Sequence, residues 1–518
     1  MGVTIKMPGK LQKESIILFL LEIIVYLPFM ANQLNNADGV SNGLLYHGNN
    51  YAWEDAQGRF FIKFFDMWRD GMISPSLIVA LCLFFLVCIV AILWEIFECN
   101  NTIEKYLIGI CILFSPSVAN LFTYYYCADS YCFAYLLAIL AVACLLKNGI
   151  KYFIAAGVML IFSMGIYQTY IGAAVTVCGV WIIRTILKNE MEVKLLLRKI
   201  VRMVVGIGAS AVGYLLLFKM LENVGYLYPT STRGMDNILG NLIEKSTGLI
   251  KLAYHVFYDY FFTGNLINNY WRGRRYFNAL IIVGTFLLIG YIFLKKKIYK
   301  SALKSVLLGV IVIIFPIMLA VIVIVAPDAS VYAETGLLML SYMNYMYVLP
   351  LIILGELEKQ RTIEWIEAGF RLLVAAVGII LIVYIQVFAR TVMVEQTKMQ
   401  NLAYQIETKL EAMDIYEPNM KVLVIGRPQN GNFPIVDEES ADITKGMISQ
   451  YSLIFGASDH ISNGWIKILQ YYCGVNYTSC DVEQRERITN SVEATEMEIF
   501  PHAAAIKQIE DVVVIRFS

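Results

Sequence analysis

Histidine, charge and metal-ligand spacing are scarce in this sequence. Only four of its 518 residues are histidines. His47, His255, His460 and His502 lie far apart, and neither an HExxH nor a CxxC pattern is present, so no metal site can be read from spacing. Charged residues make up 16% of the chain, against about a quarter in soluble globular proteins. That deficit excludes an ordinary soluble domain. Basic and acidic residues balance at 41 each, so no basic excess points to nucleic acid. Internal repeats and low-complexity tracts are missing as well. Of the ten cysteines, most fall in apolar runs, where cysteine acts as a small hydrophobe. Cys473 and Cys480 share a polar context, which leaves a disulfide and two free thiols equally open.

What is abundant is apolar surface: 58% of residues are hydrophobic and mean hydropathy is +0.62. A spanning helix needs about 20 mostly apolar residues. Hydropathy places about eleven such helices, at 14–31, 76–97, 106–126, 131–147, 152–166, 169–187, 201–220, 277–294, 303–326, 337–355 and 369–389. No small-residue cleavage site follows "FLLEIIVYLPFM", so the first segment reads as an anchor. Lysine and arginine crowd alternate loops: Lys6, Lys10 and Lys13; Lys105; Lys147 and Lys151; the 184–202 segment; and "KKKIYK" at 295–300. The positive-inside rule then puts the N-terminus in the cytoplasm and, for an odd helix count, the C-terminus outside. Residues 1–389 are expected to form the transmembrane domain, with outside loops at 32–75 and 221–276. Residues 390–518 are expected to form an extracytoplasmic α/β domain, with "KVLVIG" and "DVVVIRF" as strands and "NLAYQIETKLEAM" and "GWIKILQYY" as helices.

Several polar residues at the outer boundary are candidates for chemistry. Asp38, in "NNADG", follows the first span almost at once, although Asp-Gly is also a common turn pair. Glu54, Asp55 and Arg59 share the next stretch, "YAWEDAQGRF", where a mutual ion pair or a helix cap is equally open. Arg59, Lys63, Asp66 and Asp70 recur at helical spacing opposite Phe60, Phe61, Phe64, Phe65 and Trp68. This predicts a helix lying flat on the outer surface with its charged face in water. Asp129 in "YYYCADSY" is a second boundary acid or a helix cap, and Asp328 in "APDAS" reads as a solvated loop acid. "MGIYQTYIG" puts Tyr167 and Gln168 at the outer turn of a hairpin, and a polar side chain at that depth is a binding candidate. "PTSTRG" supplies Arg233. The cluster Arg272, Arg274 and Arg275 in "NNYWRGRRYF" reads as attraction to anionic headgroups.

The order and spacing of several of these stretches resemble the bacterial Gtr-type (type II) glucosyltransferases that modify O-antigen and other surface glycans. The resemblance is carried by "NNADG", "AQGRFF", "SPSL", "CADSYCFAYLLAILAVACLL", "MGIYQTYIGAAV" and the ending "EIFPHAAAIKQIEDVVVIRFS". It implies a polytopic α-helical, GT-C-like membrane protein of the bacterial cytoplasmic membrane. Its implied partners are a polyprenyl-phosphate-linked sugar donor, with glucose as the sugar, a surface glycan acceptor and membrane lipids. Such transfer needs one carboxylate to take the acceptor proton and a cation for the departing phosphate. The resemblance places the first role on Asp38, with Glu54 and Asp55 behind it. It places the second on Arg59 or Arg233, with Asp129, Tyr167 and Gln168 contacting substrate. No cofactor motif is found, and a divalent-metal requirement stays open.

Three other classes compete. A lipid-linked sugar flippase or transporter usually places ionisable groups inside its spans, where this chain has almost none. A surface-glycan polymerase would also use outer arginines but leaves the folded tail without a purpose. An acyltransferase would need an intramembrane histidine that is missing.

Overall fold

The structure, a computed structural model, describes residues 12–41, 51–227, 246–325, 336–357, 361–413, 416–428, 442–443 and 458–518. Arg233 and Asp328 lie outside the described residues. Among the described residues, nine helices are long and apolar enough to cross a membrane, and a 17-residue helix, Ile150–Ile166, adds a shorter one. The chain is a helical polytopic membrane protein with a small C-terminal region that holds a three-stranded sheet.

From the N-terminus, α1 (Lys13–Asn32) is followed by three short helices, α2 (Ala37–Ser41), α3 (Ala52–Ala56) and α4 (Lys63–Arg69), and then by α5 (Pro75–Ile96). The apolar segment expected at 106–126 is not one span. It divides into α6 (Thr102–Leu113) and α7 (Pro116–Leu121). Ser115 precedes a proline, which disfavours helical backbone, and it adopts φ −86°, ψ 140° while its hydroxyl caps α7. With 12 residues, α6 is about 18 Å long, short of the roughly 30 Å hydrocarbon core. The broken backbone is protected by protein: all of α7 is buried, and Ser117 Oγ donates to the Leu337 carbonyl at 2.7 Å. Irregular backbone at membrane depth is tolerated only when buried in this way.

Next come α8 (Ala128–Leu146), α9 (Ile150–Ile166), α10 (Tyr170–Lys188), α11 (Val193–Asn223), α12 (Ser246–Phe261), α13 (Arg274–Lys295), α14 (Ala302–Leu319) and α15 (Tyr345–Leu354). The centre of the bundle is α10, 94% buried, and the Gly336–Leu354 segment, 100% buried. At the rim, α11 is 22% and α14 28% buried. Their exposed faces carry Val201, Val204, Val205 and Leu216, and Val306, Val310 and Ile313, a surface suited to acyl chains rather than water. The lysine- and arginine-rich turns interlock at one end of the bundle. There Arg184 pairs with Glu98 at 3.0 Å and Glu356 at 2.8 Å, Arg371 with Glu104 at 2.8 Å, and Lys304 donates to Asn189.

Glu22 in α1 is an ionisable group inside a span, fully buried, with neither carboxyl oxygen hydrogen-bonded among the described residues. One expectation about charge is corrected. The charged face expected at 59–70 is only partly in water: Asp70 is exposed and Lys63 half-buried. Asp66 and Arg69 point inward and are buried, while Phe64, Met67 and Trp68 are exposed. The helix turns its aromatics outward, as a bilayer-facing helix should.

After the bundle, α16 (Arg361–Glu411) runs unbroken for 51 residues, about 75 Å. It passes straight through the boundary expected at 389/390. Its far end supplies Met399, Leu402, Ile406 and Leu410 to the core of the C-terminal region. There β1 (Lys421–Ile425), α17 (Ser458–Cys473), β2 (Ile506–Ile509) and β3 (Val512–Arg516) assemble. Strand order is β1-β3-β2, with β1 parallel and β2 antiparallel to β3. The apolar β3 is central, as a strand with a near-continuous hydrophobic run requires. Trp465 of α17 stacks on Phe517 at 5.0 Å. All ten cysteines are free, Cys473 and Cys480 included.

Candidate active site

Opposite the lysine-rich turns, two stretches of the first connecting segment are fastened to the bundle. Asp38 sits in the first turn of α2, a helical turn rather than the β-turn that Asp-Gly allows. Asn36 caps it, accepting from Gly39 N at 2.9 Å, and donates to Thr123 Oγ1 at 2.9 Å in the turn before α8. Asn35 reaches the other way, to Tyr471 of α17 at 3.2 Å and, through its backbone N–H, to Gln396 of α16. Val40 completes the clamp by joining the apolar core of the C-terminal region. Gly39 is required for closeness: a Cβ there would lie 1.6 Å from Asn35 Oδ1. Asp38 is half-buried, within electrostatic range of the Tyr124 and Tyr126 phenols.

The stretch "AQGR" ends α3 in a Schellman motif. Gly58, at φ 76°, donates to the Asp55 carbonyl at 2.9 Å, and Arg59 N to the Glu54 carbonyl at 2.8 Å. The turn is then bound to distant helices. Gln168 Nε2 donates to the Gln57 carbonyl at 2.7 Å and to Tyr214 Oη at 2.8 Å, and Tyr214 donates to the Gly58 carbonyl at 3.0 Å. Phe61 N donates to the Gly165 carbonyl at 2.8 Å.

This fastening delivers Arg59 into an aromatic cage. Its Nη1 donates to Tyr131 Oη at 2.9 Å, and the guanidinium lies 4.9 Å from the Tyr167 ring centroid. Tyr131 and Tyr167 stack at 4.2 Å. Arg59 is buried, its Nε has no hydrogen-bond partner, and it makes no ion pair among the described residues. Burial disfavours the charged guanidinium, yet the phenols of Tyr131, Tyr167 and Tyr126 and the carboxylate of Glu54 hold its pKa above the ordinary arginine value. Tyr124 lies within electrostatic range of both Asp38 and Arg59. Its own hydroxyl is buried without a partner.

Thus Glu54, Arg59 and Tyr167 share one cluster, while Asp38 lies within electrostatic range of Tyr124 and Tyr126. Asp55 faces away, 3.5 Å from Lys63; burial pushes its carboxyl up, partly opposed by that lysine. Asp129 is fully buried in a different cluster. Arg69 meets it at 3.0 Å and Asp66 at 2.6 Å, and Tyr51 also donates to Asp66. That network locks α4 to α8. The amide of Gln168 is committed to the hydrogen bonds given above. Sequence reasoning passed over Tyr124, whose signal was the unbroken "YYYC" run before Asp129, and Tyr131 just after that acid; it read Arg274 with Arg272 and Arg275 as one headgroup cluster, whereas Arg274 is buried and its neighbours are not. Among the described residues no three His, Cys, Asp or Glu side chains converge as a metal site. The arrangement offers a half-buried carboxylate, Asp38, and a caged cation, Arg59, able to meet an oxyanion.

A protein-family model described as "Glucosyl transferase GtrII" matches residues 27–354, which include every one of these site residues. No curated protein and no solved structure matches the chain.

Proposed function

Because this chain belongs to the GtrII glucosyl transferase family, we propose that it moves glucose from a polyprenyl-phosphate carrier to a surface glycan at the outer face of the bacterial cytoplasmic membrane. The observation that carries the reading is the buried Arg59 guanidinium, held by Tyr131 and Tyr167 with its Nε open among the described residues. An acceptor hydroxyl attacks the anomeric carbon and forms the new C–O bond. The bond from that carbon to the phosphate oxygen breaks, its electron pair leaves with the phosphate, and the hydroxyl proton passes to Asp38. A phosphate is a good leaving group and needs no protonated acid. The cation Arg59 is placed to stabilise the charge that develops on it. Tyr167 and Tyr131 hold that guanidinium by stacking and hydrogen bonding, which preserves its orientation without neutralising it. Glu54 stands near enough to tune the cage.

The experiment is Asp38→Asn, compared with wild type in cells by mass spectrometry of the surface glycan. The substitution is nearly isosteric, so membrane abundance should hold while the added hexose disappears. Full glucosylation in that variant would remove Asp38 as the base. The same comparison with and without the gene identifies the sugar.

A further inference from the structure

Two of the other buried arginines are paired with carboxylates, and Arg59 is caged by aromatic rings. Arg69 holds Asp66 and Asp129, and Arg184 holds Glu98 and Glu356. Arg274 does not follow that pattern. It is only 1% exposed, yet among the described residues Nε and Nη1 have no hydrogen-bond partner, and Nη2 reaches only Tyr347 Oη at 3.4 Å. Tyr347 itself donates to Asn278 Oδ1 at 2.8 Å. The Tyr260 ring, 5.7 Å away, offers weak compensation. No acid acts on it among the described residues, where only the Tyr347, Tyr260 and Tyr384 phenols lie within electrostatic range. Arg274 is also the first residue of α13, so the positive end of the helix dipole adds to its charge. A buried cation without a counter-charge is strongly unfavourable. A guanidinium fork with open donors is suited to a phosphate oxyanion.

We propose that Arg274 binds the phosphate of a membrane lipid, either polyprenyl phosphate or a phospholipid headgroup. The polyprenyl source rests on the glycosyl-transfer reading; the site itself does not. The test uses full-length protein in phosphatidylcholine nanodiscs, with binding of polyprenyl phosphate and of phosphatidylglycerol measured separately by native mass spectrometry. Arg274→Gln should weaken one of the two by about 10- to 100-fold, the loss of charge-assisted hydrogen bonds. Loss of polyprenyl phosphate binding marks a donor-carrier site, and loss of phosphatidylglycerol binding a phospholipid site. Unchanged binding of both overturns the proposal. Should Arg274→Gln not fold, the readout moves to the Arg59→Gln protein, which lacks the other caged arginine. Its melting temperature should rise with one of the two phosphate lipids and not with polyprenol or diacylglycerol; no difference overturns the proposal. Asp38→Asn should bind both lipids as wild type does. Unaltered surface glycan alongside intact lipid binding would count against the transfer reading alone.

Discussion

Gly39→Ala is the sharpest probe of how Asp38 is held. The new Cβ would stand 1.6 Å from Asn35 Oδ1 and 2.5 Å from its Cγ, so the Asn35 side chain must rotate away. Rotation ends the hydrogen bond from Asn36 N at 3.1 Å and the one to Tyr471 at 3.2 Å. Two neutral hydrogen bonds contribute about 1–3 kcal/mol together. If that strain appears as displacement of α2 rather than unfolding, turnover falls about 10- to 100-fold, at about 1.4 kcal/mol per decade. The assay is glucosylation in purified membranes, normalised to protein abundance. A double-mutant cycle with Asn35→Ala isolates the cause. Once Asn35 is truncated, Gly39→Ala should cost little more. An equal penalty with and without the Asn35 side chain would refute the steric argument, and full activity in Gly39→Ala would refute the need for a fixed Asp38.

Arg69→Leu should leave Asp129 buried without a counter-charge among the described residues, a loss of about 3–5 kcal/mol. The expected result is protein missing from the membrane or melting far lower, read by fluorescence-detected size exclusion; normal stability would argue that Asp129 is held some other way. A tag on the C-terminus should be reached by an impermeant reagent in intact cells, as the proposed orientation requires, and labelling only after lysis would reverse that orientation and the outer active site with it.

Much of the architecture was legible because hydropathy is a local sum. Each apolar segment read from the sequence contains α-helix among the described residues, although 337–355 begins with a 3-10 turn at Gly336–Leu340 and becomes α-helical only from Tyr345. The two tail strands lie where "KVLVI" and "VVVIR" put them. What local sums miss is continuity and breakage. Pro116 splits one segment into two short helices, while α16 ignores the compositional change at residue 389 and continues to Glu411. The site was half legible. Its acids and Arg59 stood out as charges at an apolar boundary, but α4 was read with its charged face in water. Helical spacing identifies two faces, and it cannot say whether the medium beyond is water or lipid.

By itself, then, the sequence determined a membrane-embedded helical chain with its basic turns segregated from a candidate acid and arginine, because burial preference is a property of each residue. Tertiary structure alone decided which charges are neutralised. Arg69 finds Asp129 across 60 residues, and Arg59 finds Tyr131 across 72. Arg274 finds no carboxylate among the described residues. Whether an ion is a structural pair or an open binding group depends on what distant helices bring within a few ångströms, where Coulomb and hydrogen-bond energies are large.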